Sequence, residues 1–250
     1  MKALLLAAGY ATRLYPLTRD CAKALLEVGG RPMLSHLLDR VAVLPGMSEI
    51  VVVANHRFID QFEAWASDLA FGLAVRVLDD GSTSDDDKLG AIGDLSFALD
   101  EMGDEEDLLV VAGDNLLLFD LEPSLEEYRR RQRPLLLVRD VDPAVQSRYN
   151  EVGVSASGRV TRFREKPQQP RSGKAAICLY FLPPGIASFV HRYLGSGGNP
   201  DAPGYFIEWL LAETEVHAVL LSGEWFDVGS LETLAQARAR LSPSAEEAGK

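Results

Sequence analysis

The chain alternates short, unbroken apolar runs with longer segments whose apolar residues recur every three to four positions. Residues 3–7, Ala-Leu-Leu-Leu-Ala, lead into Ala8-Gly9, and Ile50 to Ala54 forms a second such run. Leu108 to Ala112 and Pro134 to Val138 are two more, and Val75 to Leu78 is a weaker one. Continuous apolar runs of this length read as strands buried on both faces, the situation inside a parallel sheet. Between them, Met33, Leu34, Leu37, Leu38 and Val41 keep helical spacing, as do Phe58, Phe62, Trp65 and Leu69. Strand and helix in alternation predict an α/β fold with a mostly parallel central sheet flanked by helices.

The pattern changes after about residue 140. Tyr149 to Ser155 and Arg159 to Arg164 flank Ser157-Gly158 and read as a hairpin. Ala175 to Leu182 reads as a further strand, followed by helices at 186–193, 206–213 and 231–241. We expect one domain over 1–241, with a first half (1–140) and a smaller, β-rich second half (141–241). The small and polar residues 242–250 read as a disordered tail.

Composition narrows the partners. The 250 residues are long enough for one large core, and 25 Lys and Arg against 37 Asp and Glu give a net charge of -12. Such a surface repels nucleic acid and anionic membranes, so neither is expected as a partner. Any phosphate-bearing substrate must then meet local cations or a metal. Cys21 and Cys178 are far apart in the chain and read as two reduced thiols rather than a disulfide or zinc site. No apolar run approaches the ~20 residues of a membrane helix, and the N-terminal run is too short for a signal peptide. A cytoplasmic protein is expected. The acidic runs Asp85-Asp86-Asp87 and Asp104-Glu105-Glu106-Asp107 read as solvated loops.

The chemistry begins after the first strand, at Ala8-Gly9-Tyr10-Ala11-Thr12-Arg13-Leu14-Tyr15-Pro16. Loops at the carboxyl ends of parallel strands are where open α/β sheets bind ligands. Small residues let backbone N–H groups approach phosphates, and Arg13 adds a guanidinium fork for phosphate oxygens. A dinucleotide-binding loop would need Gly where Ala11 and Leu14 stand, and Pro16 interrupts the helix it requires. A Walker A loop would need Gly-Lys-Ser or Gly-Lys-Thr, and none follows this strand.

Leu6 to Thr18, followed by Lys23-Ala24-Leu25-Leu26-Glu27-Val28, resembles the signature of the sugar-phosphate nucleotidyltransferases. The likeness continues in order along the chain. It runs through Leu89-Gly90-Ala91-Ile92-Gly93, Gly113-Asp114-Asn115, Phe163-Arg164-Glu165-Lys166-Pro167 and Trp225-Phe226-Asp227-Val228-Gly229. The chain departs from the family at Ala11 and Ala22, where Gly and Pro are usual, and at Tyr149-Asn150, where Tyr-Gly is usual.

The resemblance implies a single Rossmann-like, GT-A-like domain. It also implies magnesium-dependent transfer of a nucleotide from a nucleoside triphosphate to a sugar 1-phosphate, with release of pyrophosphate. By the same resemblance, Ala8, Gly9, Tyr10, Ala11, Thr12 and Gly90 bind the nucleotide, and Asp114 and Asp227 hold the metal. Lys23 stabilises charge at the α-phosphate. Tyr149, Asn150, Glu165 and Lys166 form the acceptor site, Lys166 meeting its phosphate and Glu165 orienting it.

That reaction suits the residues present. The attacking phosphate oxygen is already ionised and needs no general base, so positioning and charge neutralisation dominate. None of His36, His56, His191 or His217 falls in a motif. Three rivals remain at this point. A nucleotide-sugar glycosyltransferase would favour Asp-x-Asp, whereas Asn115 and Leu116 follow Asp114. A non-catalytic relative would have lost Arg13, Lys23, Asp114 or Asp227. A cytidylyltransferase acting on an alcohol phosphate stays open, as do the base and assembly as a homo-oligomer.

Overall fold

The structure is a computed structural model that describes residues 1–70, 72–221 and 223–242. The first apolar run forms β1 (Lys2–Leu6). A short hairpin, β2 (Glu27–Val28) and β3 (Arg31–Pro32), precedes α1 (Met33–Ala42), and β4 (Glu49–Ala54), α2 (Ile59–Ser67), β5 (Val75–Asp79) and α3 (Ala91–Met102) follow. Then come β6 (Leu108–Ala112), β7 (Asn115–Leu118), α4 (Glu122–Arg131) and β8 (Leu135–Asp140). The second half contains β9 (Glu151–Val154), β10 (Val160–Arg164), β11 (Lys174–Leu182), α5 (Ile186–Gly195), α6 (Pro203–Glu213), β12 (His217–Leu220), β13 (Glu224–Asp227) and α7 (Leu231–Leu241).

Seven strands form one sheet in the order β12-β8-β11-β6-β1-β4-β5. β1 lies between β4 and β6, parallel to both. Its residues alternate between two cores: Ala3 and Leu5 join one, Leu4 the other. Both faces are covered, so every position must be apolar, and the pattern of two is hidden in the sequence. On one side α1 buries Leu34, Leu37, Leu38 and Val41. On the other, α3, α5 and α6 supply Leu95, Leu99, Val190, Phe206 and Ile207.

β11 is antiparallel to both β6 and β8. Chain from the second half therefore sits inside the sheet of the first, and the two halves share one core. The β9–β10 hairpin forms as expected. The expected tail at 242–250 lies outside the described residues except for Ser242, which ends α7 and donates to the Arg238 carbonyl at 2.8 Å. No helix of the described residues is long and apolar enough to cross a membrane.

A small antiparallel ladder matters more to the site than its size suggests. β7 pairs with β13 in a register that sets Asn115 opposite Asp227. The Val228 N–H donates to the Asp114 carbonyl at 3.1 Å. Two carboxylates more than a hundred residues apart are thereby fixed on adjacent backbones.

Candidate active site

A cleft of about 610 Å³ opens at the carboxyl ends of β1 and β6. It is lined by Ala8, Gly9, Tyr10, Ala11, Thr12 and Arg13 from the loop after β1, together with Lys23, Gly90, Asp114 and Asp227. The second half contributes Tyr149, Asn150, Glu165 and Lys166 to the same wall. All the residues singled out from the sequence thus border one space. None of the four histidines lines it.

The loop after β1 is held from outside itself. Asn55, fully buried just past β4, donates through Nδ2 to the Ala8 carbonyl at 2.8 Å, and its Oδ1 accepts from the Phe58 N–H at 3.1 Å. Thr18 Oγ1 donates to the Ala11 carbonyl at 2.8 Å. Ala11 itself adopts the left-handed conformation, φ 48 and ψ 44. That conformation costs an L-residue about 1–2 kcal/mol, while glycine adopts it freely at a smaller entropic cost. Ala11→Gly is therefore expected to raise stability by about 0.5–1 kcal/mol. Denaturant unfolding measures this, and a destabilised variant would contradict the account of the loop.

Gly90 opens α3 at φ 79, and an added Cβ would lie 2.7 Å from the Pro200 carbonyl oxygen. The Ile92 N–H donates to that same oxygen at 2.7 Å. Glycine is needed here on both conformation and space, because the second half closes directly over this turn.

The charged groups divide between two ends of the cleft. At one end Lys23 Nζ donates to Asp114 Oδ2 at 2.7 Å. Burial, and after it the negative charge of Asp114, push the Asp227 carboxyl up to about 6. Lys23, Arg13 and Lys166 all pull it back down, so three cations bear on this one carboxylate. Among the described residues no three His, Cys, Asp or Glu side chains gather into a metal site. Two carboxylates that repel one another in a half-buried cleft nonetheless fit one divalent ion that takes its remaining ligands from phosphates and water. At the other end burial, then the charge of Asp80, push the Asp94 carboxyl up to about 8, with Asp201 adding to the effect.

Glu165 is driven upward by burial, offset in part by Lys166, whose Nζ lies 3.9 Å from its Oε1. Lys166 adopts φ 40, a left-handed conformation that the surrounding structure has to hold in place. Glu165 rests against Gly204 in the first turn of α6, where an added Cβ would fall 1.8 Å from Oε2. Asn150 lines the cleft, yet its amide is engaged with β11. Oδ1 accepts from the Ala176 N–H at 2.7 Å and Nδ2 donates to the Ala176 carbonyl at 3.1 Å. The register of β11 shifts just beyond this point, between Ala176 and Tyr180. Asn115 braces the same bulge, donating to the Ile177 carbonyl at 3.2 Å and accepting from the Trp225 indole N–H at 2.6 Å. Asn55 and Gly204 read as ordinary turn or loop residues in the sequence, and Asn115 stands there only as the neighbour of Asp114 in its motif.

A family model described as nucleotidyl transferase matches residues 2–243. A glucose-1-phosphate thymidylyltransferase of Streptomyces griseus is 29% identical over 92% of this chain and 63% of its own length. A UTP–glucose-1-phosphate uridylyltransferase of Haloferax volcanii is 28% identical over 96% of both chains. Mannose-1-phosphate guanylyltransferase 1 of Arabidopsis thaliana is 27% identical over 92% of this chain and 61% of its own. The chain thus spans under two thirds of the Streptomyces and Arabidopsis relatives. Among solved structures, a UDP-glucose pyrophosphorylase complexed with UDP-glucose superposes with a TM-score of 0.81 at 19% identity, covering 96% of this chain and 97% of the other. A UDP-glucose pyrophosphorylase from Acinetobacter baumannii gives 0.79 at 21%, covering 96% and 92%. These structures share the fold, and with the match along residues 2–243 the chain belongs to the nucleotidyl transferase family.

Proposed function

We propose that the cleft joins a nucleoside monophosphate, taken from a nucleoside triphosphate, to a sugar 1-phosphate and releases pyrophosphate. The observation that carries this reading is the set of cations around Asp227: Arg13, Lys23 and Lys166 all act on it, with Asp114 beside it. Two polyanions must be brought together, and this is the part of the cleft able to neutralise both. The relatives named above for thymidylyl, uridylyl and guanylyl transfer to hexose 1-phosphates support the substrate class.

In this reading Arg13 holds the triphosphate tail and the loop Ala8–Thr12 turns its small residues to the phosphates. Lys166 holds the acceptor's phosphate and Glu165 orients the acceptor, with Tyr149 beside it. Asn150 serves as a positioning residue, through Ala176. Lys23 is paired with Asp114 at 2.7 Å, and a bound α-phosphate offers it a second anion within the same region. A magnesium ion held by Asp114 and Asp227 would supply charge neutralisation at the α-phosphate and the incoming phosphate oxygen. An acceptor oxygen then displaces pyrophosphate at the α-phosphorus, with no proton to remove. The unpaired thiols of Cys21 and Cys178 accord with work in the cytoplasm.

The test is a matrix of nucleoside triphosphates against sugar 1-phosphates and alcohol phosphates, scored by pyrophosphate release with magnesium present. Release with at least one sugar 1-phosphate is expected; release with alcohol phosphates alone would overturn the acceptor assignment. Lys166→Ala checks the division of the cleft. It should raise the KM for the acceptor tenfold or more, on the order of one lost charge-assisted contact. Triphosphate affinity by calorimetry should barely change. Collapse of triphosphate affinity with unaltered acceptor kinetics would move Lys166 to the nucleotide site.

A further inference from the structure

The turn that carries Glu165 and Lys166 is tied to a carboxylate outside it. Glu151 begins β9, directly after Tyr149 and Asn150, and it is fully buried. Its Oε2 accepts from Arg164 Nε at 2.8 Å and from Nη2 of the same guanidinium. Its Oε1 accepts from the Arg171 N–H at 2.5 Å and from Arg162 Nη2 at 3.3 Å. Arg164 ends β10, one residue before Glu165, and its Nη2 also donates to the Gln169 carbonyl at 2.9 Å. The Arg164 side chain therefore closes the turn 165–168 at its start. The backbone of Gln169 and Arg171 closes it at its end, and Glu151 sits at the junction.

Burial works against a charged Glu151, but Arg164, the Arg171 N–H and Arg162 outweigh it and hold the carboxyl below its ordinary range. Replacing a buried ion pair by apolar residues is commonly neutral or stabilising, so stability alone does not account for one. What a guanidinium fork on a carboxylate adds is direction. Direction is what this turn needs. Lys166 adopts φ 40, a conformation that persists only where its surroundings impose it. Its side chain is 62% exposed, so packing of the lysine itself does little to impose it. The bonds to Glu151 close on both sides of that residue.

Resting on the reading that Lys166 and Glu165 serve the acceptor, we propose that Glu151 is a positioning residue for the transfer. Through Arg164 it holds the turn that aims both groups into the cleft. Glu151 is not among the described residues that line the cleft, so it acts only through others.

The experiment compares wild type, Glu151→Gln, Arg164→Lys and the double variant Glu151→Leu with Arg164→Met. Each is read for acceptor KM and kcat with a sugar 1-phosphate, for triphosphate affinity by calorimetry, and for amide hydrogen exchange over residues 165–171. Glu151→Gln should raise the acceptor KM about tenfold or more, the scale of losing the charge-assisted contact that Lys166 makes. Triphosphate affinity should stay at the wild-type value while exchange over 165–171 quickens. Arg164→Lys keeps the charge but loses the fork that spans Glu151 and Gln169, so it should change in the same direction by less. The double variant removes both charges together and should fold, with the acceptor KM still raised. A wild-type acceptor KM in folded Glu151→Gln or in the double variant overturns the inference alone. So does unaltered exchange over 165–171, or an equal loss of triphosphate affinity. Failure of wild type to release pyrophosphate with every sugar 1-phosphate overturns it together with the function proposed above.

Discussion

Asp227→Asn lowers turnover by about 10²–10³-fold at saturating substrates, the scale set by removing one group that neutralises charge in a transition state. The amide matches the carboxylate in shape but not in charge, so the cleft loses its hold on a divalent ion while the backbone pairing of β7 and β13 persists. Stability should move the other way. Burial and the Asp114 charge both work against ionised Asp227, so the variant should melt no lower than wild type and should gain at neutral pH. Asp114→Asn should lose as much activity without that gain, because it gives up the Lys23 contact at 2.7 Å. Melting temperatures beside turnover in the two variants separate these effects. Full activity in both, or in excess chelator, would remove metal from the mechanism.

Gly204→Ala is expected to cost about 10²-fold in kcat/KM for the acceptor, the penalty of displacing a positioned group by about an ångström. The new Cβ would fall 1.8 Å from Glu165 Oε2, 2.8 Å from its carboxyl carbon and 3.0 Å from the Phe163 ring. Phe163 is buried in the core, so the side chain of Glu165 has to yield, and with it the orientation of Lys166 beside it. α6 itself should gain from alanine in place of glycine in its first turn, so a folded but acceptor-deficient protein is the expected outcome. Triphosphate affinity unchanged alongside the loss is the signature. Wild-type acceptor kinetics in this variant would show that Glu165 does not position the acceptor.

The inner strands β1, β4 and β6 are legible because burial on both faces leaves an unmistakable apolar run, as at Ala3-Leu4-Leu5 and Ile50 to Ala54, whereas the edge strand β12, with Leu220 half exposed, leaves no such run. β7 and β13 are not legible. Leu116-Leu117-Leu118 follows a turn, and Trp225-Phe226 is too short to declare a strand without its partner. Motif residues such as Arg13, Lys166 and Asp227 can be found because they stand in recognisable local strings. The groups that hold the site together cannot. Asn55 acts on Ala8 across 47 residues, and Gly204 makes room for a carboxylate 39 positions earlier. Asp80 and Asp94 look like two more acids in an acidic chain, and only burial in one wall sets them apart. Asn150 lines the cleft, and its pairing with the Ala176 backbone is a partner that its place in the string does not show.

The central claim is that one cleft brings an acceptor's phosphate oxygen to the α-phosphorus of a nucleoside triphosphate. Its most direct test uses a sugar 1-phosphate carrying ¹⁸O at the three non-bridging phosphate oxygens, incubated with the protein, magnesium and the triphosphate it binds best. Mass spectrometry of the products then identifies the nucleophile. The account predicts a nucleotide sugar that retains all three heavy oxygens and pyrophosphate that carries none. Label in the pyrophosphate, or an unlabelled nucleoside monophosphate formed by water in place of the nucleotide sugar, would contradict it.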